Sequence, residues 1–437
     1  MENENAPNQK LFLGIDLGTS GVRLVLIDAQ GELLLTSSES LPDPEVIDGR
    51  PCADPGDWWA CVDLQLRRLT ASLAEVGCSA GDIEAVAVDG TSGTMVLVDA
   101  ELTPVSPALM YNSTGFDTQA EVIARHADPD SIVQGSGSGL ARLLYLQSLA
   151  TDSQVAAVLH QADWIAARLR GGQFLSDETN ALKTGYDVVA RAWPDWMAAC
   201  GVTPSLLPDV LPVGASTGCV GPAAQRAFGL SADCRIVAGA TDSNAAFLAT
   251  GARQVGDGVT SLGTTLAIKL LSDHPVVDPA RGVYSHRIGD MWLAGGASNV
   301  GGGTLRQFFN ASQILDLQPL MTPDHDTGLN YYPLPSPGER FPVADPHLSP
   351  RLSPRPDDDA KFLQAILEGI ARVEADGYAT LSQLGAPAVQ RVLTAGGGAM
   401  NAPWRRIRER YLQVPVLRAG QGEAAMGAAR IAAGLIS

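Results

Sequence analysis

The sequence predicts an α/β protein built from two similar halves, each containing a strand–turn–strand unit. Three observations carry this. The chain has 437 residues, more than one hydrophobic core usually supports. Leu17-Gly18-Thr19-Ser20 and Leu262-Gly263-Thr264-Thr265 each sit between two apolar runs of strand character. Strands in both halves run into helical patterns, and one unit recurring in this way marks a duplicated domain.

Taken in order, Leu11-Phe12-Leu13-Gly14-Ile15 is an apolar strand that stops at Asp16-Leu17-Gly18-Thr19-Ser20-Gly21. The alternating run Val22–Ile27 resumes it, and Glu32–Thr36 reads as the third strand of the same meander. Asp54-Pro55 opens a long amphipathic helix, with Asp54 as cap and Pro55 in the first turn. Ile83–Val88 is a buried strand ending in Asp89-Gly90-Thr91-Ser92-Gly93. Three strands, a helix and a strand is the order of an actin-like, ribonuclease H-like domain.

In the second half, Arg235–Ala238 is a strand that runs through Gly239-Ala240-Thr241-Asp242-Ser243 into an alanine-rich helix. The strand–turn–strand of Thr260–Leu270 follows. The expected division is 1–233 and 234–437, with the two domains flanking a cleft. Pro333–Asp359, rich in proline and charge, is expected to be surface loop. Helices at about 361–384, 402–413 and 423–435 close the chain.

Composition narrows the function. Hydrophobic residues make up 45% and charged ones 18%, and the mean hydropathy is +0.06, as in a globular protein with ample core. The net charge of −18 argues against nucleic acid or an anionic membrane as partner, since both demand a basic face. A phosphorylated small ligand stays open, because backbone amides and helix ends can hold it. No apolar run is long enough to span a membrane, the polar start is not expected to act as a targeting peptide, and the six cysteines form no C-x-x-C pair. A cytoplasmic protein with reduced thiols is expected.

The 46 glycines exceed the roughly 31 that average usage of about 7% would give. The excess collects in turns beside apolar strands, at 18–21, 295–303 and 396–398. Leu17-Gly18-Thr19-Ser20-Gly21 can aim backbone N–H groups and two hydroxyls at a phosphate. One such turn could be an ordinary hairpin, but two matching turns can grip the β- and γ-phosphates of a nucleotide between them. No Gly-Lys pair occurs, which excludes a P-loop. Gly135-Ser136-Gly137-Ser138-Gly139 lacks the preceding strand and acidic residue of a dinucleotide loop, and the six histidines have no metal or triad spacing. Asp16 and Asp242 each follow a buried strand at a glycine-containing turn. One can hold hydrated Mg²⁺ while the other accepts the proton of an attacking hydroxyl, although Asp242 could also cap its helix. Gly396-Gly397-Gly398-Ala399-Met400-Asn401 follows the strand Arg391–Thr394 and opens a helix, so its backbone can lie flat against a nucleotide.

Together these residues resemble the FGGY carbohydrate kinases over nearly the whole chain. Gly14-Ile15-Asp16-Leu17-Gly18-Thr19-Ser20 with Arg23 is similar to their first phosphate motif, and Ser261-Leu262-Gly263-Thr264-Thr265 to the second. Ala238–Ser243 matches the segment carrying the catalytic base. Gly396–Asn401 with Trp404 matches the adenosine motif. Gly328-Leu329, Pro333-Leu334 and Gly338–Pro342 resemble a family signature, as does Leu367-Glu368-Gly369-Ile370. The resemblance implies ATP and Mg²⁺ as cofactors, Asp242 as base and Asp16 on the metal. It also implies a nucleotide site of Gly18, Thr19, Ser20, Arg23, Gly263, Thr264, Thr265, Gly302, Gly397, Met400 and Asn401.

Departures from the family concern the sugar. Tyr111-Asn112-Ser113-Thr114-Gly115 stands where many relatives carry an aromatic-x-Asp-x-Arg pattern. Asp89-Gly90-Thr91-Ser92-Gly93 replaces the Ser-Gly-Gln-Met-His-Gly type of loop. These features are similar to the compact xylulokinase-like subgroup, which implies a ketopentose held by Asp16, Ser92 and Asp242, with Tyr111 and Asn112 lining the pocket. D-Ribulose is the expected substrate. D-Xylulose, glycerol and other polyols are alternatives, and a non-catalytic actin-like ATP switch is the rival from another class.

Overall fold

A computed structural model describes residues 9–129, 131–149 and 155–436. It divides into two units. The first comprises the described residues up to Ala249, Arg287–Gly289 and those from Glu423 onward, and the second comprises Thr250–His286 and Asp290–Gly422.

The first unit is built on strands β1 (Leu11–Leu17), β2 (Gly21–Asp28), β3 (Leu33–Ser40), β4 (Ile83–Gly90), β5 (Ser216–Cys219) and β6 (Arg235–Thr241). Their order across the sheet is β5-β6-β4-β1-β2-β3. The meander β1-β2-β3 is antiparallel, while β4 runs parallel to both β1 and β6. β1 is buried at every residue, as expected of a strand covered on both faces. Helix α1 (Pro55–Ser72) begins where expected, with Asp54 accepting the Gly56 N–H at 2.7 Å and Pro55 in the first turn. Its buried stripe, Trp58, Cys61, Val62, Leu66 and Leu69, has the three-to-four-residue spacing of a helix lying on a sheet.

A smaller five-stranded sheet in this unit joins residues 45–47, 50–53, 108–109, 95–98 and 157–160 in that spatial order. Helices α2 (Gly139–Leu149) and α3 (Gln161–Arg170) follow its surrounding segments. The Gly135–Gly139 segment leads into α2, where Ser138 Oγ accepts the Ala141 N–H at 3.1 Å.

The expected division at 233/234 does not coincide with that of the structure. Strand β6 is hydrogen-bonded to β4, so it and helix α4 (Asp242–Ala249) belong to the first unit.

The second unit repeats the plan with β7 (Asp257–Leu262), β8 (Leu266–Ser272), β9 (Tyr284–Ile288), β10 (Met291–Ser298), β11 (Arg391–Ala395) and β12 (Val416–Arg418). Their order is β9-β10-β8-β7-β11-β12. The core β10-β8-β7-β11-β12 has the connectivity and directions of β3-β2-β1-β4-β6. Each unit therefore has the actin-like, ribonuclease H-like α/β topology. Helices α5 (Asp359–Gln383) and α6 (Ala402–Leu412) fall within a few residues of the expected ranges. Below the sheet they are joined by a buried pair, Glu374 and Arg408, with two contacts of 2.6 Å.

Two features differ from expectation. Helix α7 (Ala424–Ala432) ends the chain but packs on the first unit's β1 and α4. Glycines permit the approach: a Cβ on Gly14 would stand 2.0 Å from the Ala425 carbonyl oxygen, and one on Gly427 1.8 Å from that of Ala245. The 333–359 segment has neither helix nor strand before α5 begins at Asp359, but it is not merely surface. Leu334 and Phe341 are buried, and Glu339 accepts from Ser298 Oγ at 2.6 Å and the Asn299 N–H at 2.8 Å.

Candidate active site

In the first unit, chemistry collects where parallel strands end. Strands β1, β4 and β6 lie side by side, and their carboxyl ends carry Asp16, Asp89 and, one residue past β6, Asp242. Asp16 and Asp89 are register partners, and Asp89 is also paired with Ala240 of β6. Ligands of open α/β sheets bind at such ends, because the loops there are free to vary.

The three carboxyls have different surroundings. Asp16 is 4% exposed and Asp89 fully buried, whereas Asp242 is half-buried. Burial raises the Asp16 pKa, opposed by a hydrogen bond with Asp89 and by Arg23, whose Nη1 lies 3.2 Å from Oδ2. Burial raises Asp89 well above the carboxylate range, helped by the negative charges of Asp16 and Asp242. Neither oxygen of Asp89 meets a conventional donor among the described residues. Its neighbour is another carboxyl, so the bond between them needs a proton, which resides on Asp89. Asp242 heads helix α4 and its Oδ1 accepts the Ser243 N–H at 2.6 Å. The turn before it is braced by Thr179, whose Oγ1 accepts the Thr241 N–H at 2.9 Å.

The first glycine hairpin closes through Gly18 N–H to the Gly21 carbonyl at 3.0 Å. Thr19 and Ser20 make no side-chain hydrogen bond among the described residues, so both hydroxyls are uncommitted. Arg23 bridges Asp16 to Glu423, the latter at 3.8 Å.

Beyond Asp89, the 91–94 loop is fixed from behind. Thr91 donates its N–H and Oγ1 to Gln161 Oε1 at 3.1 and 2.8 Å, and its Oγ1 lies 2.6 Å from Thr94 Oγ1. The Tyr111 N–H in turn donates to Thr94 Oγ1 at 3.1 Å. This network brings the Ser92 loop and the Tyr111–Asn112 segment together. Ser92 is partly exposed and makes no side-chain hydrogen bond among the described residues, so it does not brace its own turn. Tyr111 and Asn112 are exposed.

In the second unit, β7 and β11 end as register partners at Ser261 and Ala395. The Gly263–Thr265 hairpin and the Gly396–Gly398 turn therefore emerge side by side. A Cβ on Gly398 would stand 2.7 Å from Leu262 Cβ, so this turn lies flat against the residue preceding the hairpin. Gly302 and Gly303 donate their N–H groups to the carbonyls of Gly263 and Thr264 at 2.9 and 3.0 Å, and Arg306 Nη2 donates to Thr264 Oγ1 at 2.6 Å. Gly302 thus spends its N–H on the hairpin. Asn401 likewise turns its side chain inward, capping α6 by accepting the Trp404 N–H at 2.9 Å. Gly397 meets nothing within 4 Å of a Cβ position, and Met400 is exposed.

Three contributors escaped sequence reasoning. Asp89 had the same signal as Asp16, a carboxylate ending a buried strand, but it passed for a turn residue. Arg142, whose guanidinium donates to the Gly93 and Tyr111 carbonyls, and Arg306, just past the short helix of residues 302–305, are single cations that nothing local marks.

Two actin-like domains with glycine hairpins at strand ends and carboxyls beside one of them define a phosphotransferase of the sugar-kinase type. The model of the FGGY carbohydrate kinase N-terminal domain matches residues 11–249 and that of the C-terminal domain residues 258–435. The chain belongs to the FGGY family of carbohydrate kinases, enzymes that phosphorylate a sugar with ATP. The xylulose kinase of Escherichia coli K12 is 26% identical over 459 residues, covering 97% of this chain and 89% of that protein. An autoinducer-2 kinase of Yersinia pestis is 27% identical over 463 residues, covering 98% and 86%. Among solved structures, a Brucella ovis kinase described as a xylulose kinase superposes with a TM-score of 0.84 at 24% identity, covering 97% of this chain and 90% of that one. No described helix is long and apolar enough to cross a membrane.

Proposed function

We propose that this kinase acts on a free ketopentose, D-ribulose first, transferring the γ-phosphoryl group of MgATP to its terminal hydroxyl to give the 5-phosphate. The observation that supports this most is the uncommitted Ser92 hydroxyl, three residues beyond the buried Asp16–Asp89 pair and on a braced loop. A neutral polyol is recognised by short polar groups held in fixed directions, whereas an anionic substrate would call for a cation where Tyr111 and Asn112 stand.

In this reading Asp242 takes the proton of the attacking hydroxyl as the new O–P bond forms. Asp16 would hold the metal through water. Its carboxylate suits Mg²⁺, which prefers oxygen donors and keeps much of its water, and bound Mg²⁺ would neutralise charge on the phosphates. Thr19, Ser20, Arg23, Gly263, Thr264 and Thr265 are the phosphate contacts. The flat Gly396–Gly398 turn and Met400 are the adenosine side, with Gly302 and Asn401 supporting the loops that receive the nucleotide. A second reading, D-xylulose, is favoured by the relatives named xylulose kinase.

ADP release measured with D-ribulose, D-xylulose, glycerol and no sugar tests this. Ketopentose-dependent turnover, with the highest kcat/KM on D-ribulose, is expected. A preference for D-xylulose selects the second reading, while activity on glycerol alone, or ATP hydrolysis indifferent to sugar, overturns both.

A further inference from the structure

Arg142 sits on α2 among buried Leu140, Ala141, Leu143 and Leu144 and is itself 4% exposed. No carboxylate pairs with it among the described residues. Burial pulls its guanidinium down to about 10. An unpaired buried cation is costly unless hydrogen bonds satisfy it. Its bonds go to backbone carbonyls from three separate loops: Nε to Gly93 at 3.1 Å, and Nη1 to Tyr111 at 2.9 Å and Gly137 at 3.1 Å. Gly93 has φ +84, and a Cβ there would lie 3.2 Å from Nη2. The loop therefore rests directly on the guanidinium.

We propose that Arg142 is the positioning residue of the sugar pocket, fixing the Ser92 loop relative to Tyr111 and Asn112 and thereby setting which sugar is accepted. The inference rests on the Ser92 loop receiving the sugar, as proposed above. The planar fork is essential to it. Lysine keeps the charge but is a point donor on a flexible stem, and it cannot hold carbonyls of three loops in one plane.

Arg142→Ala, Arg142→Lys and Gly93→Ala test this by steady-state kinetics on D-ribulose and D-xylulose and by the KM for ATP. Arg142→Ala should raise the ketose KM about tenfold to a hundredfold, the scale of a misplaced binding group, with the KM for ATP unchanged and the ribulose-to-xylulose preference altered. Arg142→Lys should resemble it, and added ethylguanidinium should restore the ketose KM of Arg142→Ala. Equal shifts in both KM values, or no shift in the ketose KM, overturn the proposal. Should Arg142→Ala lack a cooperative melt, Gly93→Ala decides by the same selective shift. Should the wild type prefer another sugar of the panel, the ketopentose reading fails and the comparison is made on that sugar.

Discussion

Asp16 and Asp89 face each other as register partners on neighbouring parallel strands, one carboxyl held by Arg23 and the other buried with no cation bonded to it among the described residues. The asymmetry assigns the charge. Arg23 favours ionised Asp16, while burial and the charges of Asp16 and Asp242 keep the proton on Asp89.

A protonated Asp89 has a consequence for stability against pH. Its folded pKa lies above the ordinary value of about 3.9, so the folded chain binds a proton that the unfolded chain releases. Stability from this group is full below the unfolded pKa and is lost as pH rises through the folded one. Asp89→Asn supplies a permanent neutral donor of the same shape. Its Tm should exceed that of the wild type at pH 8, with the gap closing toward pH 4, and a pH-independent gap would show that Asp89 carries no extra proton.

Asp242 stands at the head of α4 with one oxygen held by the Ser243 N–H. Asp242→Asn keeps the shape and the cap acceptor but removes the base. Sugar phosphorylation should fall about 10²–10⁴-fold, the usual worth of a positioned base, with ATP binding and Tm nearly unchanged. Near wild-type turnover would reduce Asp242 to a helix cap.

Asp16→Ala removes the proposed metal group and frees Arg23. The Mg²⁺ concentration for half-maximal rate should rise about 10–100-fold, as for other groups that act on a metal through its outer shell. An unchanged Mg²⁺ dependence would leave Asp16 a purely structural partner of Arg23.

Both hairpins were legible in the sequence because alternation and glycine turns are local signals. Helix α1 was legible from Asp54 and Pro55 alone. The domain boundary was not, since β6 looks like the start of a new half and only its pairing with β4, some 150 residues earlier in the chain, assigns it to the first sheet. The docking of α7 was hidden for the same reason: Gly14 matters through its approach to Ala425, about 410 residues away, and Gly427 through its approach to Ala245, about 180 residues away. In the site, Asp16 and Asp242 stood out beside glycine turns. Asp89 and Arg142 act through partners on other elements, which periodicity does not reveal.

Ser92→Ala tests the sugar loop itself. The hydroxyl has no hydrogen-bond partner to lose among the described residues, so Tm should hold. The ketose KM should rise roughly two- to tenfold, the worth of one neutral hydrogen bond of about 0.5–1.5 kcal/mol. Unchanged kinetics on both ketopentoses would remove Ser92 from the pocket.

The last prediction concerns the support beneath the second unit's loops. Glu374 on α5 and Arg408 on α6 have side chains 0% and 2% exposed and make a two-pronged pair. The pair reaches the sheet on both sides. Thr260 of β7 donates to Glu374 at 2.5 Å, and Arg408 donates to Thr394 of β11 at 2.6 Å. These are the strands that end in the Gly263 hairpin and the Gly396 turn. Removing one partner leaves the other charge buried and unpaired, which costs about 3–5 kcal/mol. Glu374→Ala should therefore lower the stability of the second unit by about that much and raise the KM for ATP. Replacing both residues together, as Glu374→Leu with Arg408→Met, should recover much of the stability, because no lone charge remains. Denaturant unfolding of Glu374→Ala, Arg408→Met and the double variant checks this, and a double variant less stable than either single one would show that the pair is worth more than the charges it neutralises.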